Sequence, residues 1–391
     1  MTLVPPTGLV NTDRARTLYG HAGDTWIAAM WRADDLADAV VAERGSAALI
    51  RPALADGIGA LTGASPALVA LFDSIEREPD WLDHDRCDRA ADALVRHFPA
   101  MAIVLAAASL LRGAGNSIAG KPLALTGRYS TMPGVRSVEV GEWLRRVLTP
   151  GGMRRDGAGF AYTVRVRMIH AHVRAHLLRS GTWEHDAWGV PIPQPYMAFT
   201  LAEFGHIAIE AMGTLGVRFT ADELEDIYHL WRYVGHVIGM DDDLNPRNEA
   251  DHRRIEELYR LTSPGPDAYD REFVTALNAD YLIPEFANTM SLPQRWRVPV
   301  ATAVMEGYER VFLGDADADA LGIRRRRIAR LLPRLSGVMH LISRGQIRRA
   351  GGLDEFTRRA YADRDTEMAR MRAAYAMTHD MVDTAPDRVS V

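Results

Sequence analysis

Cysteine is almost missing from this chain: Cys87 stands alone among 391 residues. One thiol excludes an internal disulfide framework and any cysteine-rich zinc site. An excess of positive charge is missing too. Lys and Arg number 46 against 51 Asp and Glu, a net charge of −5, whereas a nucleic-acid partner needs a basic surface. There is no apolar run long enough to span a bilayer. The longest, FPAMAIVLAAASLL at 98–111, falls short of the roughly 20 residues a spanning helix needs, and it reads as a buried core helix. The N-terminal MTLVPPTGLVNTDRART lacks a basic stretch followed by a long apolar one. A secretory signal is therefore not expected, and a cytoplasmic protein is. Alternating β-branched stretches, the mark of half-buried strands, are nearly absent.

What is present is helical periodicity. It predicts helices over roughly 23–42, 46–61, 65–76, 84–113, 137–148, 160–180, 195–215, 220–238, 249–260, 268–279, 295–312, 322–347 and 353–378. Some carry start signals: Thr220 with Glu223 three residues on makes a capping box, and Ser65-Pro66 places proline in a first turn. The breakers GAGNSIAGKP (113–122), TPGGMRRDGAG (149–159) and WGVPIPQP (188–195) are too short for flexible linkers. The chain therefore reads as all-α, a single large helical domain over 78–350 with an N-terminal helical extension (1–77) and a C-terminal helix and tail (351–391). The basic stretch GIRRRRIARLLPRL (322–335) reads as a solvated or carboxylate-paired face.

Chemistry concentrates in RVRMIHAHVRAHLL, residues 165–178. Successive helical residues turn by about 100°. Around His170, one face gathers Thr163, Val166, Arg167, Val173, Arg174 and Leu177, mostly apolar with an arginine one turn to either side. His172 and His176 fall on the opposite face with Arg165, Met168 and Arg179, which reads as basic and solvated. Their four-residue spacing could hold zinc, but the glutamate of a metalloprotease helix is missing, because Val173 follows His172. On the helix alone His170 is either a core histidine bonded to a backbone carbonyl or a ligand. Buried arginines need anionic partners. Nearby carboxylates could supply them, and so could the two propionates of a haem, whose apolar ring suits the valines and Leu177.

Four stretches resemble the latex clearing proteins (rubber oxygenases) and the MpaB-type oxygenases that share their catalytic domain. They are EPDWLDHDRCDRAADAL (78–94), LTGRYSTMPGVRSVEV (125–140), RMIHAHVR (167–174), and WGVPIPQPYMAFTLAEFG with TADELEDIYHLWRYVGHVIGMDDDLNP, ending at 246. The resemblance implies a mostly helical domain enclosing haem b, with His170 as the proximal iron ligand and Arg174 in the haem pocket. Arg167 and Arg136 join the cofactor-binding set, and Arg136 precedes the distal positions Glu139 and Val140. The latex clearing proteins have lysine and threonine at those two positions. They also use an upstream glutamate as a base, whereas 111–138 here holds no carboxylate. The rubber-cleaving mechanism therefore does not transfer unchanged. Glu139, with Arg136, becomes the expected catalytic pair, since a carboxyl in an apolar pocket can exchange a proton with bound oxygen or substrate. The implied activity is a haem-dependent oxygenase that uses O₂ on an apolar small molecule, an alkene or isoprenoid-like chain, in secondary metabolism. One of Arg324 to Arg327 is a candidate late haem-site arginine.

Two other readings stay open on the residues. Glu203-x-x-His206 and Asp226-x-x-His229, with Glu210, partly match a di-iron carboxylate site. A non-catalytic haem or hydrophobic-ligand binding protein fits the same composition.

Overall fold

The computed structural model describes residues 4–126, 132–327, 331, 341–342, 345–347 and 349–377. Among them every regular element is helical, as the periodicity predicts, and there is no strand. No single helix among them is long and apolar enough to cross a membrane.

The run predicted as one helix over 84–113 is broken. His84–Val95 and the helix from Phe98 to Gly113 meet at an 83° bend. Pro99 explains the break, since it lacks an N–H and clashes with a preceding turn but suits a first turn. The 98–113 helix contains a π turn, Leu105–Leu110. A second π turn, Glu203–Ile207, joins Gln194–Ala202 to Ala208–Thr214, within the span predicted as 195–215. The two π turns touch, and the Ser109 hydroxyl donates to the Glu203 carbonyl at 2.7 Å. Such turns widen a helix by one residue and often mark functional positions.

One buried apolar cluster runs from Leu9 to Met371. The N-terminal residues, expected to form an extension, supply part of it. Trp26, Ile27 and Met30 are fully buried, and the Trp26 indole donates to Thr262 Oγ1 at 3.1 Å. At the other end, Leu353–Ala374 packs over Pro133–Val147 and His84–Val95. The helix Ala158–Ser180 stands between Asp35–Ala42, Pro133–Val147 and Ala221–Ile238. It ends at Gly181, whose φ of 71° places it in the left-handed region where glycine carries no Cβ strain. Ala221–Ile238 starts on the capping box predicted from Thr220 and Glu223.

Several family-like residues turn out to join elements. Asp226 accepts from Arg86 at 2.8 Å and from Arg89 at 2.7 Å, which ties Ala221–Ile238 to His84–Val95. The Gln194 amide donates to the carbonyls of Ala33 and Gly239, both at 2.9 Å, and its oxygen accepts from the Asp241 N–H at 3.0 Å. Gly239 has a φ of 91°, and a Cβ there would lie 2.6 Å from Arg167 Nε. Only glycine satisfies both constraints.

The helix predicted over 322–347 lies largely outside the described residues, and 322–326 are not helical. Arg325 pairs with Asp319 at 2.5 Å and Arg326 with Glu306, so these two basic residues are carboxylate-paired as expected.

Glu309 is 0% exposed on Gln294–Leu313. Burial pushes its carboxyl up to about 7, with Asn278 opposing. The folded protein then holds this proton to higher pH than the unfolded chain does. Stability is expected to fall as pH rises from about 4.5 to about 7. Glu309→Gln should remove on the order of 3 kcal/mol of that fall, at about 1.36 kcal/mol per unit. Urea unfolding at pH 5 and pH 8 measures it.

Candidate functional site

A cavity of about 1700 Å³ opens between these helices. Its wall is mostly apolar, with Ile103, Leu110, Val166, Phe199, Phe204 and Met368 from six elements. Pockets for drug-sized ligands run to about 300–1,000 Å³. This one has room for a cofactor and an apolar substrate together.

His170 lies on the wall. Its Nδ1 is buried with no protein partner, so the expected alternative of a core histidine tied to a backbone carbonyl does not hold for that nitrogen. Burial, reinforced by Arg174 and opposed by Asp34, lowers its pKa to about 4. The ring is therefore neutral at physiological pH, the form that binds a metal.

The two flanking arginines differ. Arg167, 3% exposed, is held by Asp34 through Nε at 2.6 Å and Nη2 at 2.8 Å, and also donates to the Val237 carbonyl. It does not line the cavity. A carboxylate at the start of Asp35–Ala42 thus fills the anionic role that a haem propionate was expected to take, and the assignment of Arg167 to a cofactor is corrected. Arg174 is 1% exposed and gives only its Nε to Asp38, at 2.8 Å and 3.0 Å from the two oxygens. Both of its Nη atoms are buried without a partner, and like Arg167 it does not line the cavity. A guanidinium left half unsatisfied is costly unless an anion meets it.

The face with His172, His176, Arg165, Met168 and Arg179 was expected to be solvated. All five line the cavity, and only Arg179 among them is exposed, because helices pack on more than one side of Ala158–Ser180. No Asp, Glu or Cys completes a metal set with His172 and His176 among the described residues.

Arg136, Glu139 and Val140 also lie on the wall, on the helix Pro133–Val147. Arg136 and Glu139 form an ion pair one turn apart, so Glu139 meets a guanidinium rather than a purely apolar pocket. Residues 127–131 of the same family-like stretch are outside the described residues. Among the described residues the late arginines on the wall are Arg349, Arg359 and Arg364, and none of Arg324 to Arg327 lines it. Arg364 is committed elsewhere, donating to the carbonyls of Arg145 and Leu148.

Glu203, named in the sequence only within the di-iron alternative, has a different setting here. It lies on the cavity wall in the second π turn. Desolvation raises its carboxyl pKa well above the usual range, with Thr200 opposing. A Cβ on Gly113 would come within 2.5 Å of Glu203 Oε1, so any side chain there would displace the carboxyl. The available signal was a lone carboxylate inside the apolar run YMAFTLAEF. The di-iron pattern does not assemble. Asp226 is taken by two arginines, His229 Nε2 accepts from the Asp83 N–H at 3.0 Å, and His206 does not line the cavity with Glu203.

Comparison with known proteins agrees with this architecture. The solved structure of latex clearing protein LCP in the closed state superposes with a TM-score of 0.58 at 17% identity, over 85% of this chain and 91% of that one, a likeness of fold. A curated relative, the rubber oxygenase of Streptomyces sp. (strain K30), is 29% identical over 92 residues. That stretch covers 23% of this chain and 23% of the relative, so the match spans under a quarter of its length. Residues 94–344, more than half of the chain, match the model described as ER-bound oxygenase mpaB/B'/rubber oxygenase, catalytic domain. By that match the chain belongs to the family of the mpaB-type and rubber oxygenases.

Proposed function

We propose that this protein is a haem-dependent oxygenase that uses O₂ on an apolar small molecule of alkene or isoprenoid-like character. One observation carries the reading: a neutral His170 on the wall of a large apolar cavity that Arg136 also lines from a second helix. These residues fit a haem: His170 would hold the iron and Arg136 would meet a propionate, while Arg174 stands behind the wall beside His170. When bound, haem supplies O₂ binding and electron transfer at iron.

The remaining work falls to the chain. Apolar side chains exclude water and hold an apolar substrate by burial. Glu139 is kept in place by Arg136. Glu203 takes a proton-donor role, distinct from the base that the latex clearing proteins use upstream. Burial disfavours the anion, so its carboxyl keeps a proton to higher pH than an exposed glutamate does, and it can give that proton up inside the cavity.

Two measurements test this. Protein reconstituted with haem should show a Soret band and consume O₂ with an isoprenoid alkene. Haem binding without O₂ uptake would instead point to a carrier, and no haem binding would overturn the reading. Glu203→Gln should keep the Soret band and lower the turnover by about 10²–10⁴-fold, the usual contribution of general acid–base catalysis. Turnover should fall at high pH as Glu203 loses its proton, and the glutamine variant should lack that alkaline limb.

A further inference from the structure

Outside the cavity, a second cluster of ligating side chains has no part in the proposed reaction. His206 and Glu210 lie four apart on the second π turn and the helix after it, and Glu256 faces them from Glu249–Thr262. One ligand atom from each lies within 4.8 Å of the others. His206 Nε2 is 3.9 Å from Glu256 Oε2. The other Glu256 oxygen, Oε1, accepts from Arg112 Nη1 at 2.6 Å, which fixes the carboxylate and leaves Oε2 turned to His206. His206 and Glu256 are buried, and Glu210 is exposed, so the cluster is reachable from solvent.

His252 adds an independent sign. It is 0% exposed, and neither ring nitrogen has a partner. Its ring packs against Gly205, where a Cβ would lie 2.9 Å from Cε1. His206 and His252 are thus neighbours. A buried imidazole with two unsatisfied nitrogens is expensive in a closed apolar core and reasonable beside a cation.

We propose that His206, Glu210 and Glu256 bind a divalent cation of the zinc class, with His252 beside them and solvent completing the coordination. One imidazole and two carboxylates suit such an ion. Bonds of about 2.0–2.2 Å place tetrahedral ligands roughly 3.4 Å apart. The observed separations therefore close with side-chain adjustments of about an ångström. The ion would act as a brace. Glu203 and Tyr259 reach the cavity wall from the two segments that carry His206 and Glu256, so a cation joining those segments fixes both wall residues. This site does not depend on the haem reading.

The full chain, stripped of metal by a chelator and dialysed, is titrated with Zn²⁺ against a chromogenic zinc indicator. The wild type should bind one ion with Kd below about 10 µM, and His206→Gln and Glu210→Gln should each weaken it by at least about tenfold. Glu210 is exposed, so its variant should fold even if the His206 variant does not. Absence of binding up to about 100 µM zinc, or wild-type binding by the Glu210→Gln protein, would overturn the proposal. Either result leaves the Soret measurement unaffected.

Discussion

Replacing His170 by alanine is expected to abolish haem retention. The Soret absorbance per mole of protein should fall at least tenfold after reconstitution and desalting, since the iron loses its protein ligand. His170 provides a neutral ring inside the cavity, and the remaining contacts, apolar walls and Arg136, are not specific to iron. His172→Ala and His176→Ala are the matched controls, because both residues line the same cavity from the same helix. They should leave the band in place. An unchanged spectrum in the His170 variant would remove this residue from the site, and a lost band in the His172 variant would move the ligand two residues along. Because every variant is made on a helix held at several faces, circular dichroism separates lost haem from lost fold.

The second large effect is on stability. Asp34→Asn should destabilise the protein by about 3–5 kcal/mol, the cost of removing one partner from a buried ion pair. Asp34 is 4% exposed and Arg167 is 3% exposed, and two short bonds join them. Asparagine keeps the capping oxygen that accepts from the Ala37 N–H, so the change isolates the charge. With an unfolding entropy of about 2.1 cal/mol/K per residue, the melting temperature should drop by roughly 4–6 °C. The drop should hardly change with salt, because a buried pair is poorly screened. A loss under about 1 kcal/mol would place the pair among weak surface bridges instead.

The contrast between the two arginines explains what the sequence could and could not disclose. A helical wheel finds the buried face of Ala158–Ser180 from residue types alone, and Thr163, Arg167, Arg174 and Leu177 are indeed buried. It cannot say who meets those arginines, because Asp34 and Asp38 lie more than 130 residues away. The same blindness misread the opposite face. A wheel has two sides, whereas Ala158–Ser180 has neighbours on several. Element type was legible nearly everywhere, and the capping box at Thr220 fixed a helix start correctly. The bend before Phe98 was signalled by Pro99, yet an apolar run on both sides concealed it. Glu203 was hidden for another reason. Its spacing to His206 suggested a shared metal, but that spacing has meaning only on a regular helix.

The π turn at Glu203–Ile207 is a phase slip. One extra residue in a turn displaces everything after it by about 100° around the axis. The chain upstream of the slip keeps Tyr196, Phe199 and Glu203 in register with the cavity. Downstream, His206 and Glu210 are delivered to another neighbour, Glu256. A single inserted residue thus lets one continuous rod serve two chemistries. Any alignment of this segment with a relative lacking the slip needs a one-residue gap at this turn, or else it will pair cavity residues with outward ones.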